Sequence, residues 1–204
     1  RQLINIKDLS LFRRFLTLVA ARVGNEFNAT HLSNELGISH VTIKQWLSVL
    51  EASYTAFTLP PYYRNVGKRL VKTPKMYFFD TGLVAYLTKY SSPEILMNGA
   101  INGSILENYT VAEIVKTYHN DAKECNFHYY RDKDSHEIDL VIESDGELHP
   151  LEIKKSSNPG SELASAFKLL DKGSVPRGTG GILCLRETLS AIDRSAYVIP
   201  IWMI

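Results

Sequence analysis

The sequence predicts an α/β chain of the α+β kind, with a helical first half and a strand-rich second half. Three observations carry this. Apolar residues recur at helical spacing through residues 9–50, whereas from about Asn126 onward short apolar runs alternate with turn residues. The net charge of +1 also conceals an asymmetry. Residues 1–80 hold 11 Lys/Arg and 5 Asp/Glu, and residues 81–204 hold 12 and 17, so a basic half precedes an acidic one. Two domains are expected, over residues 1–80 and 81–204.

The 204 residues are 45% hydrophobic and 22% charged, an ordinary globular composition. No apolar run reaches the roughly 18 residues that a bilayer crossing needs, so no membrane partner is expected. The opening "RQLINIKDLS" has neither Met nor the apolar core of a signal peptide, which suits a fragment of a longer cytoplasmic protein. Cys125 and Cys184 lie in apolar runs without metal-ligand spacing and are read as free thiols.

In the first half, "DLSLFRRFLTLVAARVG" predicts a helix with Leu9, Phe12, Leu16 and Val19 inward. "THLSNELG" is a second helix, closed by Gly37 where a left-handed cap is wanted. "SHVTIKQWLSVLEASY" is a third, with Ser39 as N-cap and Ile43, Trp46, Leu47 and Leu50 on its inner face. His40, Thr42, Lys44, Gln45 and Ser48 remain outside. This is a helix–turn–helix order, in which the early residues of the last helix can reach base edges, here Thr42, Lys44 and Gln45. The strand-like runs "YTAFTLPPYY" and "KMYFFD" follow. Between them lies "RNVGKRLVKTPK", with Arg64, Lys68, Arg69, Lys72 and Lys75. A hairpin with a basic tip makes a wing whose Arg64, Lys68 and Arg69 suit phosphate contacts, so DNA is the expected partner of a winged helix. "NVGKRL" lacks the upstream glycine and the following Ser/Thr of a phosphate loop, so no ATP site is expected in this segment.

In the second half, "DTGLVAYLTKY" predicts a linking helix capped by Asp80, and "SSPEILMNGAING" a connector. A longer helix starts at about Ser104, where Ser104-x-x-Glu107 fits a capping box. Glu107 shares its stripe with Val111, Ile114 and Tyr118, so a role for its carboxylate beyond the cap is equally open. Strands "FHYYRD", "EIDLVIE" and "ELHPLEIKK", a helix "SELASAFKLLDK" and a strand "GGILCLR" complete the order. His119, His128, His136 and His149 show no zinc spacing and are assigned to surface and loops, and "SSNPGS" to a loop.

The hairpin holds the chemistry. "SDGE" centres on Asp145-Gly146, a type I′ turn signal, and a two-residue turn there opposes Asp139 to Glu152 and Glu137 to Lys154. Opposed side chains have Cβ atoms about 4.5–5.5 Å apart, close enough for two carboxylates to raise each other's pKa unless a cation separates them. Mg²⁺ is suited to that gap, and Lys154 would offset charge on a phosphate. The plain alternative is a solvated sheet face with a Glu137–Lys154 ion pair. Pro150 could also introduce a bulge that shifts the register.

Glu107, Asp139 and Glu152-Ile-Lys154 together resemble the PD-(D/E)xK nuclease superfamily, the restriction-endonuclease-like fold. The resemblance implies a mixed-sheet domain with Glu107, Asp139 and Glu152 as Mg²⁺ ligands and Lys154 as the catalytic lysine. Across nearly the whole chain, "NIKDLSLFRRFLTLVAARVG", "YFFDTGLVAYL", "ENYTVAEIVK", "YYRDKDSHEIDLVIE" and "LEIKKS" are similar to the C-terminal region of many bacterial and archaeal AAA+-like ATPases. That implies an upstream ATPase module as partner and as the place for ATP, and it allows an oligomer. Two functions stay open: a Mg²⁺-dependent DNA endonuclease targeted by a winged helix, or a catalytically inactive DNA- or protein-binding module. A role in protein contacts and assembly alone is a third.

Overall fold

The computed structural model describes residues 8–63, 73–123 and 125–204. The chain divides into two compact units, Arg1–Thr58 with Thr73–Asn108, and Leu59–Lys72 with Tyr109–Ile204. Residues 81–108, expected to open the second domain, cluster with the first.

The first unit begins with α1 (Leu9–Ala20), whose first turn is capped by Asp8 through bonds from Ser10 N and Leu11 N, both 2.9 Å. Its buried face is Phe15, Val19 and Ala20, with Phe12 and Leu16 partly buried, while Leu9 is 73% exposed. Of the expected stripe only Leu9 lies outside, and Phe15, one turn before Val19, is added to it: Phe12 and Phe15 both pack on Trp46, with ring centroids 5.3 and 5.4 Å apart. Asn28 caps α2 (Ala29–Leu36), which ends at Gly37 with φ +68°, the left-handed cap the sequence signals. Ser39 caps α3 (His40–Ala52), and Ile43, Trp46 and Leu50 are buried as expected, with Leu47 partly so.

Strands β1 (Ala56–Leu59) and β2 (Lys75–Phe78) form a two-stranded sheet. Arg64, Lys68, Arg69 and Lys72 lie outside the described residues. Lys75, expected among the basic residues of the wing, is instead buried in β2 at 5% exposure. Helices α4 (Thr81–Leu87, capped by Asp80) and α5 (Pro93–Asn98, capped by Ser92) follow.

Helix α6 (Asn102–Asn120) starts two residues before Ser104, so Ser104 is inside the helix and the expected capping box does not form. Asn108 on α6 is fully buried. Its Oδ1 accepts from Phe78 N at 2.7 Å and its Nδ2 donates to Phe78 O at 2.9 Å, so one amide side chain satisfies both backbone groups of a strand residue.

The second unit is built on a mixed six-stranded sheet in the order β3-β4-β5-β6-β8-β7. Its strands are β3 (Asn126–Arg131), β4 (Glu137–Ser144), β5 (Glu147–Lys154), β6 (Gly180–Cys184), β7 (Ser190–Ala191) and β8 (Ala196–Pro200). The first three are antiparallel, β5, β6 and β8 run parallel, and β7 closes the edge antiparallel to β8. The parallel β5–β6 step needs a crossover. It contains the expected helix, Ser161–Lys172, which is of the 3₁₀ kind. Phe167 and Leu170 from this helix join Ile138, Val141, Leu148 and Ile182 in the core. A Cβ at Gly180 would lie 2.9 Å from both the Phe167 ring and Pro150 Cγ, so that close approach requires glycine. His128, assigned to the surface, is buried in β3, with Nε2 3.4 Å from Glu143 Oε2. Both cysteines are free thiols.

Candidate metal centre

Asp145 (φ +52°) and Gly146 (φ +79°) make the tight turn between β4 and β5, the two positive φ values of a type I′ turn. The register is the one that turn dictates, from Ser144 opposite Glu147 to Leu140 opposite Leu151. Pro150 sits in this ladder opposite Val141 without disturbing it. Leu148 shows why. Its N–H donates to Pro176 O at 2.9 Å and its C=O accepts from Gly178 N at 3.0 Å, so both point away from β4. Pro150, two residues on, points the same way, and its missing donor falls outside the β4–β5 ladder.

The bulge lies elsewhere. Against β3, His128 pairs with Val141 and Tyr130 with Ile138, so Tyr129 alone faces two residues of β4, Asp139 and Leu140. A two-against-one bulge bends the strand and re-aims its side chains. The β4–β5 ladder ends at Leu140, next to that bulge. There Asp139 Oδ2 accepts the Ile153 N–H at 2.8 Å, so a carboxylate replaces the ladder carbonyl. Glu152 and Lys154 project from the end of β5.

Asp139 and Glu152 are both buried, at 8% exposure. Lys154 Nζ lies 2.5 Å from Glu152 Oε1 and 3.8 Å from Asp139 Oδ2, and its side chain is 39% exposed. The bulge and turn thus bring Asp139, Glu152 and Lys154 together. Glu152 Oε2 is buried with no hydrogen-bond partner among the described residues. Burial and the neighbouring Asp139 charge push the Glu152 carboxyl up to about 7, against the downward pull of Lys154. An orphaned carboxylate oxygen beside a second carboxylate fits a hard divalent cation, which takes oxygen ligands.

Glu107 belongs to the first unit. Its Oε1 accepts from Tyr77 Oη at 2.6 Å and from Lys75 Nζ at 3.0 Å. On α3, Lys44 and Gln45 are exposed and Thr42 is half-buried, its Oγ1 2.9 Å from Ser39 Oγ. One further ligand-type group escaped the sequence reading. Asp132, Asp134 and His136 place one potential ligand atom each within 4.8 Å of one another, and the run "DKDSH" could have signalled it. The Asp132 carboxylate already serves the turn, since its Oδ1 accepts from Asp134 N at 2.9 Å and from His136 N at 3.0 Å.

Among the described residues no helix is long and apolar enough to cross a membrane. The family model "Domain of unknown function (DUF8612)" matches residues 1–94, and "Domain of unknown function (DUF4143)" matches residues 102–204. Two curated relatives are Uncharacterized protein Rv2008c of Mycobacterium tuberculosis and Uncharacterized protein Mb2031c of Mycobacterium bovis. Each is 26% identical over 159 residues, or 78% of this chain. The chain spans about a third of their length, 35% in each case. No solved structure matches it. With just over half its residues covered by that second model, the chain belongs to the DUF4143 family.

Proposed function

We propose that the second unit is a divalent-metal-dependent phosphodiesterase acting on DNA, within the C-terminal region of an AAA+-like ATPase. The observation that carries this is the buried Oε2 of Glu152, without a hydrogen-bond partner among the described residues, beside Asp139 where the β4–β5 ladder ends. Asp139 and Glu152 would hold Mg²⁺, which supplies Lewis acidity toward a phosphoryl oxygen. Asp139 is oriented by the Ile153 N–H, so one of its oxygens has a fixed position. Lys154, half in solvent, can swing from the carboxylates to a phosphate and offset charge developing there. Water then attacks phosphorus, the bond to the leaving oxygen breaks, and a phosphate monoester and a hydroxyl result. Glu107 has Lys75 and Tyr77 as partners and is given no role in this step. The first unit would supply DNA contact as a winged helix, through Lys44 and Gln45 of α3 with Arg64, Lys68 and Arg69.

The test is cleavage of plasmid and single-stranded DNA with Mg²⁺ or Mn²⁺, which Asp139→Ala should abolish. Full cleavage by that variant removes the proposal. The Lys154 ammonium favours a second reading, because it already lies against both carboxylates where a metal would bind. In that case the unit is an inactive platform, and DNA retention is salt-sensitive, metal-independent and weakened by Lys44→Ala.

A further inference from the structure

We propose that the first unit carries a separate binding site for an organic phosphate, in a cavity walled by Arg13, Arg14 and Lys89. The cavity is about 650 Å³, within the range of small-ligand sites. Leu9 and Leu18 give it an apolar wall. Leu9 is the residue that the helical repeat assigns to the core and that is instead 73% exposed. Three cations and an aliphatic surface together suit a phosphate joined to an organic body better than a bare anion. The one carboxylate of the lining, Glu35, is engaged by Arg22 at 2.7 Å and faces His31 at 3.7 Å. Arg13, Arg14 and Lys89 have no carboxylate partner among the described residues.

A second observation comes from the backbone. Helix α4 ends in a Schellman motif, with Tyr90 N donating to Ala85 O at 2.9 Å and Lys89 N to Tyr86 O at 3.3 Å. The residue between those bonds normally is glycine, because it must be left-handed. Here it is Lys89, at φ +67°. A side chain held in a conformation that glycine adopts freely is a local cost, and such costs gather at functional positions. It brings Lys89 into the lining of the cavity, with its Nζ 5.3 Å from the centroid of the Tyr86 ring.

The shared chemistry is a phosphate ester, and its source is either a free nucleotide or one nucleotide of a nucleic-acid strand. The test is binding of ATP, pyrophosphate and a short single-stranded oligodeoxynucleotide to the full chain, by titration calorimetry without divalent metal. Arg13→Ala/Arg14→Ala should weaken the bound ligand by about tenfold or more. Lys89→Gly should weaken it severalfold while raising the melting temperature, since glycine relieves the left-handed strain. That opposite movement of affinity and stability separates a lost ligand contact from a damaged fold. Binding of ATP assigns the free nucleotide, and binding of the oligonucleotide alone assigns the strand. Binding by none of the three overturns the site. So does undiminished affinity in Lys89→Gly, or an equal loss from Lys133→Ala, which removes one cation from the other unit.

Discussion

Each unit sets a glutamate against a lysine, and the two pairs differ in which partner is buried. In the first, Glu107 Oε1 takes bonds from both Lys75 and Tyr77, and the lysine is 5% exposed. In the second, Lys154 reaches Glu152 from a side chain that is 39% exposed, and one Glu152 oxygen is left over. A buried charge with full partners fixes a fold, whereas one with an open valence is held in readiness for a ligand. The same two residue types therefore serve architecture in one place and chemistry in the other.

The sharpest way to break that contrast is to remove one carboxylate at a time. Glu107→Ala removes the carboxylate that accepts from the buried Lys75 ammonium, and should cost about 3–5 kcal/mol in urea unfolding. Glu152→Gln near pH 4.5 should stay within about 1 kcal/mol of the parent, because the folded carboxyl it replaces still holds its proton there. Equal losses in the two variants would dissolve the distinction.

Next in size is activity. Asp139→Ala should lower metal-dependent DNA cleavage by about 10²-fold or more, with a small stability loss from the orphaned Ile153 N–H.

The pH dependence follows from the raised Glu152 carboxyl, whose ordinary value is 4.5 and whose folded value is about 7. Between those values the folded chain keeps a proton that the unfolded chain has lost, so stability falls as pH rises through that window and levels off above it. Glu152→Gln should flatten this slope. Cations compete with the same proton, so Mn²⁺ affinity should climb with pH to about 7 and then plateau. An affinity independent of pH across that range would place the ion on other ligands. The smallest expected effect is that of Lys154→Met, which removes the cation beside two buried carboxylates and should push the Glu152 carboxyl further up in the same titration. Lys75→Met leaves Glu107 its bond from Tyr77 but takes away its cation, and should be destabilising.

Local signals in the sequence were legible where one short segment determines the outcome. The turn at Asp145-Gly146 dictated the β4–β5 register, and Ser39, Gly37 and Asp80 act as caps where their residue types imply. What stayed hidden depends on distant partners. Lys75 looks like a solvated wing lysine until Glu107, 32 residues away, is seen beside it. Phe15 joins the inner face of α1 because Trp46 of α3 lies beside it as well as beside Phe12. The bulge at Asp139–Leu140 is set by β3, so Pro150, the residue in the hairpin that suggests one, pointed to the wrong place. Strands β7 and β8 also went unread, since their short runs carry little pattern of their own.

The most direct measurement is anomalous diffraction from crystals of the full chain soaked in Mn²⁺. A peak between the Asp139 and Glu152 carboxylates, with Lys154 withdrawn from Glu152, is the predicted result. Lys154 unmoved with no peak there, or a peak only at Asp132, Asp134 and His136, would contradict it.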